Sequence, residues 1–316
     1  MFLSISQALT FMMSGVPMFG TDACGFSHNT DYDLCSRWME LSAFFPFYRN
    51  HNVKATISQE AFRWSSVAEA SRRAIAIRYS LLTDMYTLFY YAHTQGSTVM
   101  RALAWEFPKD PTLAGTYNQF MLGSSLLITP VLFPNTFTAH GVFPGIGEGT
   151  NWYDWYTLQP VSAQPHENVT LDAPLEHINV HVRGGSVLTL QAPGNTTATT
   201  KASPYSLLVA LDEQDQATGS LYLDDGESLV PNATKLIQVS TFHSVPTPLC
   251  CLRPILNREP IQLRQRLPYD FHQRNLSRGA PARERDDRGR QRLALGHGSD
   301  DARPAVRIRR RGVELQ

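Results

Sequence analysis

An acid, a cysteine and an aromatic fall within five residues of one another in Gly20-Thr21-Asp22-Ala23-Cys24-Gly25-Phe26. A guanidinium and an imidazole follow in Tyr48-Arg49-Asn50-His51. A carboxylate such as Asp22 accepts hydrogen bonds from hydroxyls, and a neutral imidazole such as His51 donates or accepts. The flat face of Phe26 offers apolar contact area. A cation such as Arg49 is the natural counter-charge for a half-buried acid. These side chains together suit a hydroxyl-rich ligand. Each also has a plainer reading: Asp22 as a loop or helix-start acid, His51 as a surface histidine. The neighbouring Trp38, Phe44, Phe45 and Phe47 read as core.

Other chemistries fail on inspection. Gly145-Ile146-Gly147-Glu148-Gly149 lacks the Lys-Ser/Thr of a phosphate loop. Asp224-Asp225-Gly226 lacks the ligand spacing of a calcium loop. Cys250-Cys251 has no partners at zinc spacing. The arginines at 307 and 309–311 come with no nucleic-acid-binding fold. No metal, no cofactor and no nucleic acid are expected.

The elements that must position Asp22 and His51 alternate. Residues 2–15 predict a helix, with Ile5, Leu9, Met12 and Val16 three to four apart. A short strand at Pro17–Gly20, a helix over 31–43, an apolar strand at Ala43–Tyr48 and a long helix over 66–94 follow. This order is that of a parallel sheet with helical crossovers, in which polar residues after each strand carry the chemistry. Beyond residue 96 the segments Ser125–Leu132, Trp152–Thr157, Ile178–Val182, Ser186–Leu190, Ser206–Leu211 and Ser220–Leu223 are short, β-rich and separated by Pro, Gly, Asn and Asp. The chain is thus α/β plus all-β.

Charge divides it again. The net charge is zero, but residues 1–250 carry 12 Lys+Arg against 20 Asp+Glu, and residues 251–316 carry 16 Arg against 8 acids. The basic stretch is poor in aromatics and has no periodicity, so a disordered or frameshifted tail is expected over 244–316. Residues 1–21 hold no charged side chain. They lack a basic start and a small-residue cleavage site, so they read as a buried helix rather than a signal peptide or membrane span. Asn168, Asn195, Asn232 and Asn275 each head an Asn-x-Ser/Thr glycosylation sequon, which points toward the secretory pathway. In that compartment Cys24 and Cys35 can pair as a disulfide. Two buried thiols are the alternative.

The segments around these residues resemble a known family. Gly20–Phe26 is followed by Cys35-Ser36-Arg37-Trp38-Met39 and by Ala43-Phe44-Phe45-Pro46-Phe47-Tyr48-Arg49-Asn50-His51-Asn52. Then come Gln59-Glu60, Arg63-Trp64, Arg78-Tyr79, Glu106-Phe107-Pro108, Trp152-Tyr153-Asp154, Val182-Arg183-Gly184-Gly185 and Tyr222-Leu223-Asp224-Asp225-Gly226-Glu227. In order and spacing, residues 1–243 resemble glycoside hydrolase family 31, the α-glucosidases, and read most like secreted fungal members. The resemblance implies the C-terminal part of a (β/α)8 barrel over 1–96. A proximal β-sandwich over 97–190 and a truncated distal one over 191–243 would follow. It implies that Asp22 and His51 end the seventh and eighth barrel strands and bind hydroxyls of the glucose unit in the −1 subsite. Phe26 would line the sugar site, and Arg49 would stand beside the pocket floor.

The family's reaction is retaining hydrolysis of terminal α-linked glucose from maltose-type oligosaccharides. Retention needs a nucleophilic carboxylate and an acid/base carboxyl about 5–5.5 Å apart. In the family these lie in Trp-x-Asp-Met-Asn-Glu and Gly-Asp-Asn segments, and neither segment occurs in this sequence. Asp31 and Asp33 start a helix, where acids are favoured by the dipole, and Glu60 sits in a loop motif with an Arg nearby, so no catalytic residue is assigned. Three roles stay open: an inactive α-glucosidase-like portion, a non-catalytic carbohydrate-binding module, or one half of a two-chain enzyme whose partner is a separate N-terminal barrel half.

Overall fold

The computed structural model describes residues 1–226, 235–242 and 251–255. Regular structure begins with α1 (Ser4–Met13), whose Ile5, Ala8 and Met12 are buried on one side. Gly15, at φ 76°, turns the chain out of it, a backbone state that glycine reaches without a Cβ clash. β1 (Asp22–Ala23) and β2 (Arg49–Asn50) pair in parallel, with Asp22 opposite Arg49. α2 (Tyr32–Ser42) connects them, as parallel pairing requires.

Both strands are shorter than the sequence pattern predicts and lie later in the chain. Neither Pro17–Gly20 nor Ala43–Tyr48 is strand. The reason lies in Arg78, whose guanidinium donates to the carbonyls of Ala43, Phe45 and Pro46 at 2.6–2.9 Å. Those acceptors are thereby withdrawn from any ladder. One backbone bond, Phe47 N to Phe19 O at 3.0 Å, keeps the two segments side by side. Gly20 permits the approach, since a Cβ there would lie 1.8 Å from the Phe47 carbonyl oxygen.

The single helix expected over 66–94 is two, α3 (Ser65–Ser80) and α4 (Leu82–Gln95). No Pro or Gly marks the break. Leu81 N is shared between the carbonyls of Ile77 and Arg78, both at 3.1 Å, and Ser80 Oγ also bonds Ile77 O. Leu81 itself is fully buried. Packing sets this joint, so the apolar periodicity runs through it unbroken.

The remainder is built from β3 (Met100–Arg101), β4 (Phe120–Leu122), β5 (Leu126–Thr129), β6 (Thr138–Gly141), β7 (Trp152–Asp154), β8 (Val169–Asp172), β9 (Asn179–Arg183), β10 (Ser186–Gln191), β11 (Tyr205–Ala210), β12 (Gln216–Leu223), β13 (Lys235–Phe242) and β14 (Cys251–Ile255). One sheet has the order β3-β4-β5-β9-β7 and is antiparallel throughout. Its faces alternate as a two-residue period demands. Phe120, Leu122, Leu126, Ile128, Val180 and Val182 join the main core with α1, α3 and α4. Met121, Leu127 and Trp152 face a second core, against which β8 packs Val169 and Leu171.

The second sheet runs β13-β12-β10-β11-β14. Its β10 runs across the 190/191 boundary expected between the two sandwiches, so this sheet starts earlier in the chain than that boundary. Leu188, Leu190, Leu208 and Ala210 reach the same main core. The stretch from 244 onward, expected to be irregular, contributes β14, which pairs antiparallel with β11 from Val209↔Cys251 to Tyr205↔Ile255. β14 is an edge strand, where a proline such as Pro254 is tolerated. Its arginine-rich surroundings mask so short an apolar run. Apart from β14, the tail lies outside the described residues.

Arg37 joins α2 to the β-rich part. It is 2% exposed and donates to the carbonyls of Thr136, Ala173, Pro174 and His177 at 2.7–3.5 Å. Glu40 lies 3.6 Å from it. Burial holds the Glu40 carboxyl well above the usual carboxylate range, against the pull of Arg37. The motifs that looked like separate marks in the sequence also meet. Glu106 pairs with Arg101 and, at 3.6 Å, with Arg183, whose guanidinium lies over the Phe107 ring. Tyr90 stacks on Tyr222 at 4.1 Å, and Tyr86 Oη donates to Asp224.

Candidate functional site

Parallel pairing brings the ends of β1 and β2 to one side, and the predicted residues gather there. Arg49 donates to Asp22 Oδ1 from Nε at 2.9 Å and from Nη2 at 2.6 Å. Asp22 Oδ2 takes no hydrogen bond among the described residues and stays available as an acceptor. Asp22 is largely covered (side chain 21% exposed), whereas Arg49 is half open at 51%. The Phe26 and His51 rings lie 5.5 Å apart and are tilted by 32°. Phe26 is 45% exposed, so a large part of its ring surface is free for a ligand. Phe26 O accepts from Val53 N at 2.9 Å, which ties the loop after β1 to the loop after β2.

The turn between Asp22 and Phe26 needs unusual backbone. Cys24 and Gly25 have φ of 69° and 92°. Cys24 is held there by a disulfide to Cys35 on α2, which settles the choice left open by the sequence. Trp38, also on α2, donates from Nε1 to Thr21 Oγ1 and packs against Gly25. The second anchor comes from Gln59, which is 2% exposed. Its Nε2 lies 3.1–3.2 Å from Ala23 O, Gly25 O, Asn50 Oδ1 and His51 O. Asn50 Nδ2 returns a bond to Gln59 O at 2.6 Å.

Two of the acids weighed as stand-ins for a catalytic pair, Asp31 and Asp33, have structural duties. Asp31 caps α2 by accepting from Leu34 N at 2.8 Å. Asp33 accepts from Asn135 N, also at 2.8 Å. A cleft of about 420 Å³ lies alongside, lined by Tyr48, Asn50, Asn52, Gln59 and Glu60 among others. None of Asp22, Phe26, Arg49 and His51 lines it. They form an open mouth beside the cleft. Asn168 and Asn195 are exposed, while Asn232 and Asn275 lie outside the described residues. Among the described residues no group of three His, Cys, Asp or Glu could hold a metal ion, and no helix is long and apolar enough to cross a membrane.

A parallel βαβ unit with a polar mouth, followed by largely antiparallel sheets, agrees with what comparison with known families gives. Residues 1–88 match the glycosyl hydrolases family 31 TIM-barrel domain, and residues 96–188 match the glycosyl hydrolase family 31 C-terminal domain. The chain belongs to glycosyl hydrolase family 31. It is 58% identical over 244 residues to an α-glucosidase of Aspergillus niger, which covers 77% of this chain and 25% of that protein. It is 57% identical over 234 residues to an α-glucosidase of Aspergillus oryzae, with 74% and 24% covered. The crystal structure of a glucosidase II α subunit with Glc1Man2 bound superposes with a TM-score of 0.69 at 30% identity, covering 75% of this chain and 26% of that one. The chain thus spans about a quarter of the length of the relatives it matches.

Proposed function

We propose that residues 1–96 are the C-terminal part of a (β/α)8 barrel and that Asp22, His51, Phe26 and Arg49 form part of its glucose-binding −1 subsite. The β-rich part would form a proximal and a distal sandwich that brace it. The observation that carries this reading is the arrangement at the strand ends: a carboxylate anchored through one oxygen, with the other oxygen open, beside an exposed aromatic ring and an imidazole. Asp22 Oδ2 would accept from a sugar hydroxyl, His51 would donate to or accept from another, and Phe26 would pack on the pyranose C–H face. The reaction of the whole protein would be retaining hydrolysis of terminal α-linked glucose from maltose-type oligosaccharides. Its nucleophile and acid/base would come from barrel strands carried by a polypeptide segment other than these residues, so this chain alone would bind and not cleave. Titration with glucose and maltose tests the reading, together with an assay on a chromogenic α-glucoside. Saturable binding without turnover is expected, and release of monosaccharide by the purified chain would refute it.

A second reading, half of a two-chain α-glucosidase, is favoured by one observation. Among the described residues the β1–β2 sheet has two strands, and Leu3, Met13 and Met18 nearby in the chain are 57–73% exposed. Open strand edges and apolar surface invite a partner. Hydrolysis appearing only when a separately made N-terminal half is added would establish it. Secretion is part of the proposal: the Cys24–Cys35 disulfide suits an oxidising compartment, and the exposed Asn168 and Asn195 would carry glycans.

A further inference from the structure

We infer that Gln59 is the positioning residue that sets the spacing between the two loops of the proposed glucose subsite, an inference that rests on that subsite reading. Of its four acceptors, Ala23 O and Gly25 O belong to the segment carrying Asp22 and Phe26. Asn50 Oδ1 and His51 O belong to the segment carrying Arg49 and His51. An amide nitrogen has two hydrogens, shared here among four oxygens that converge from both loops. A carboxylate at the same place would face those oxygens with only lone pairs, so an isosteric Glu does not replace it.

The other half of the same side chain shows what this arrangement costs. Gln59 Oε1 is buried and makes no hydrogen bond among the described residues. An unsatisfied buried acceptor is expensive. Such a residue is retained where the nitrogen is needed, and departures from full satisfaction concentrate at functional sites. Apart from Gln59, the two segments are joined by Val53 N to Phe26 O and by Ile57 N to Asn29 Oδ1, both at 2.9 Å, and at the strand ends by Arg49 to Asp22. The Val53 amide, bonded to Phe26 O, reports the loop spacing beside Phe26. The Cys24–Cys35 disulfide fixes the first loop to α2, and Gln59 is the buried side chain whose nitrogen contacts carbonyls of both loops.

The test compares the full chain with Gln59→Met and Gln59→Glu, well below the melting midpoint of each. Glucose affinity is read by saturation-transfer NMR, and amide hydrogen exchange is read at Val53 and within α3. We expect exchange at Val53 to rise and glucose affinity to fall by about tenfold or more, with α3 protection unchanged. Unchanged protection at Val53 overturns the inference, as does a deprotected Val53 with wild-type glucose affinity. If the wild type binds no glucose, the subsite reading fails separately, and Val53 exchange still decides whether Gln59 holds the loops. Should both variants fail to fold, the exposed Asn50→Ala removes the contact to Nε2 and the bond returned to Gln59 O, and carries the same test.

Discussion

Asp22 meets Arg49 through a single carboxylate oxygen. Oδ1 receives both guanidinium bonds, and the parallel register that sets Asp22 opposite Arg49 holds the pair in place. The pair orients the acid without using it up. Arg49 is too open for the ion pair to be a large source of stability, because solvent screens exposed charges.

Replacing the free acceptor therefore affects ligand binding more than folding. Asp22→Asn should weaken glucose binding about 10–100-fold, the range for a hydrogen bond to a charged group, with little change in melting. Calorimetric titration beside a thermal melt separates the two, and an unaltered affinity counts against Asp22.

The bridge between Cys24 and Cys35 closes a short loop, with a sequence separation of 11. Cys24→Ser should destabilise the fold by about 2–3 kcal/mol and lower the melting midpoint by roughly 5–10 °C. Wild type in reductant should behave the same way. A midpoint indifferent to both treatments contradicts this assignment.

Losing the buried Arg37 side chain strands four carbonyls and leaves Glu40 without its cation. Arg37→Met should cost at least about 3 kcal/mol in a denaturant titration. Arg37→Lys should recover little, since an ammonium cannot reproduce the planar fork. Near-wild-type stability in the lysine variant would show the fork to be dispensable.

Acid should weaken the fold through His181. Burial pushes its imidazole down to about 4, against the opposing pull of Asp154. Burial lowers His177 as well. A histidine kept neutral in the fold binds its proton more readily once unfolded. Stability therefore falls as pH drops from about 6.5 toward 4 and levels off below, by on the order of 3 kcal/mol. Glu40, held high by burial, works in the opposite sense from its ordinary value of 4.5 upward, where the folded state binds the proton more readily. The difference between wild type and His181→Gln isolates the histidine. If their stability-versus-pH curves run parallel between pH 6.5 and 4, His181 is not responsible.

Much of the site was legible because its chemistry sits in contiguous words: Gly20–Phe26 and Tyr48–His51 name the acid, the aromatic, the cation and the imidazole. The alternation of helices and strands was legible from periodicity. Three things were not. The break at Leu81 arises from packing with no breaking residue. The strand pattern at Ala43–Tyr48 is overridden by Arg78, some thirty residues later. Gln59 stands out in the sequence only as part of a motif. Its role depends on full burial among carbonyls from two loops, which residue type alone does not encode.

The Arg37 contact also has a consequence in time. Its acceptors lie 99 to 140 positions further along the chain. At roughly 5–20 residues per second, a ribosome needs about 7–30 s to deliver the last of them. Through that interval the guanidinium has only Glu40 and water for company, and α2 can hover near its final place without being locked there. A helper that holds nascent chains would find its opportunity in that gap, which closes when His177 emerges.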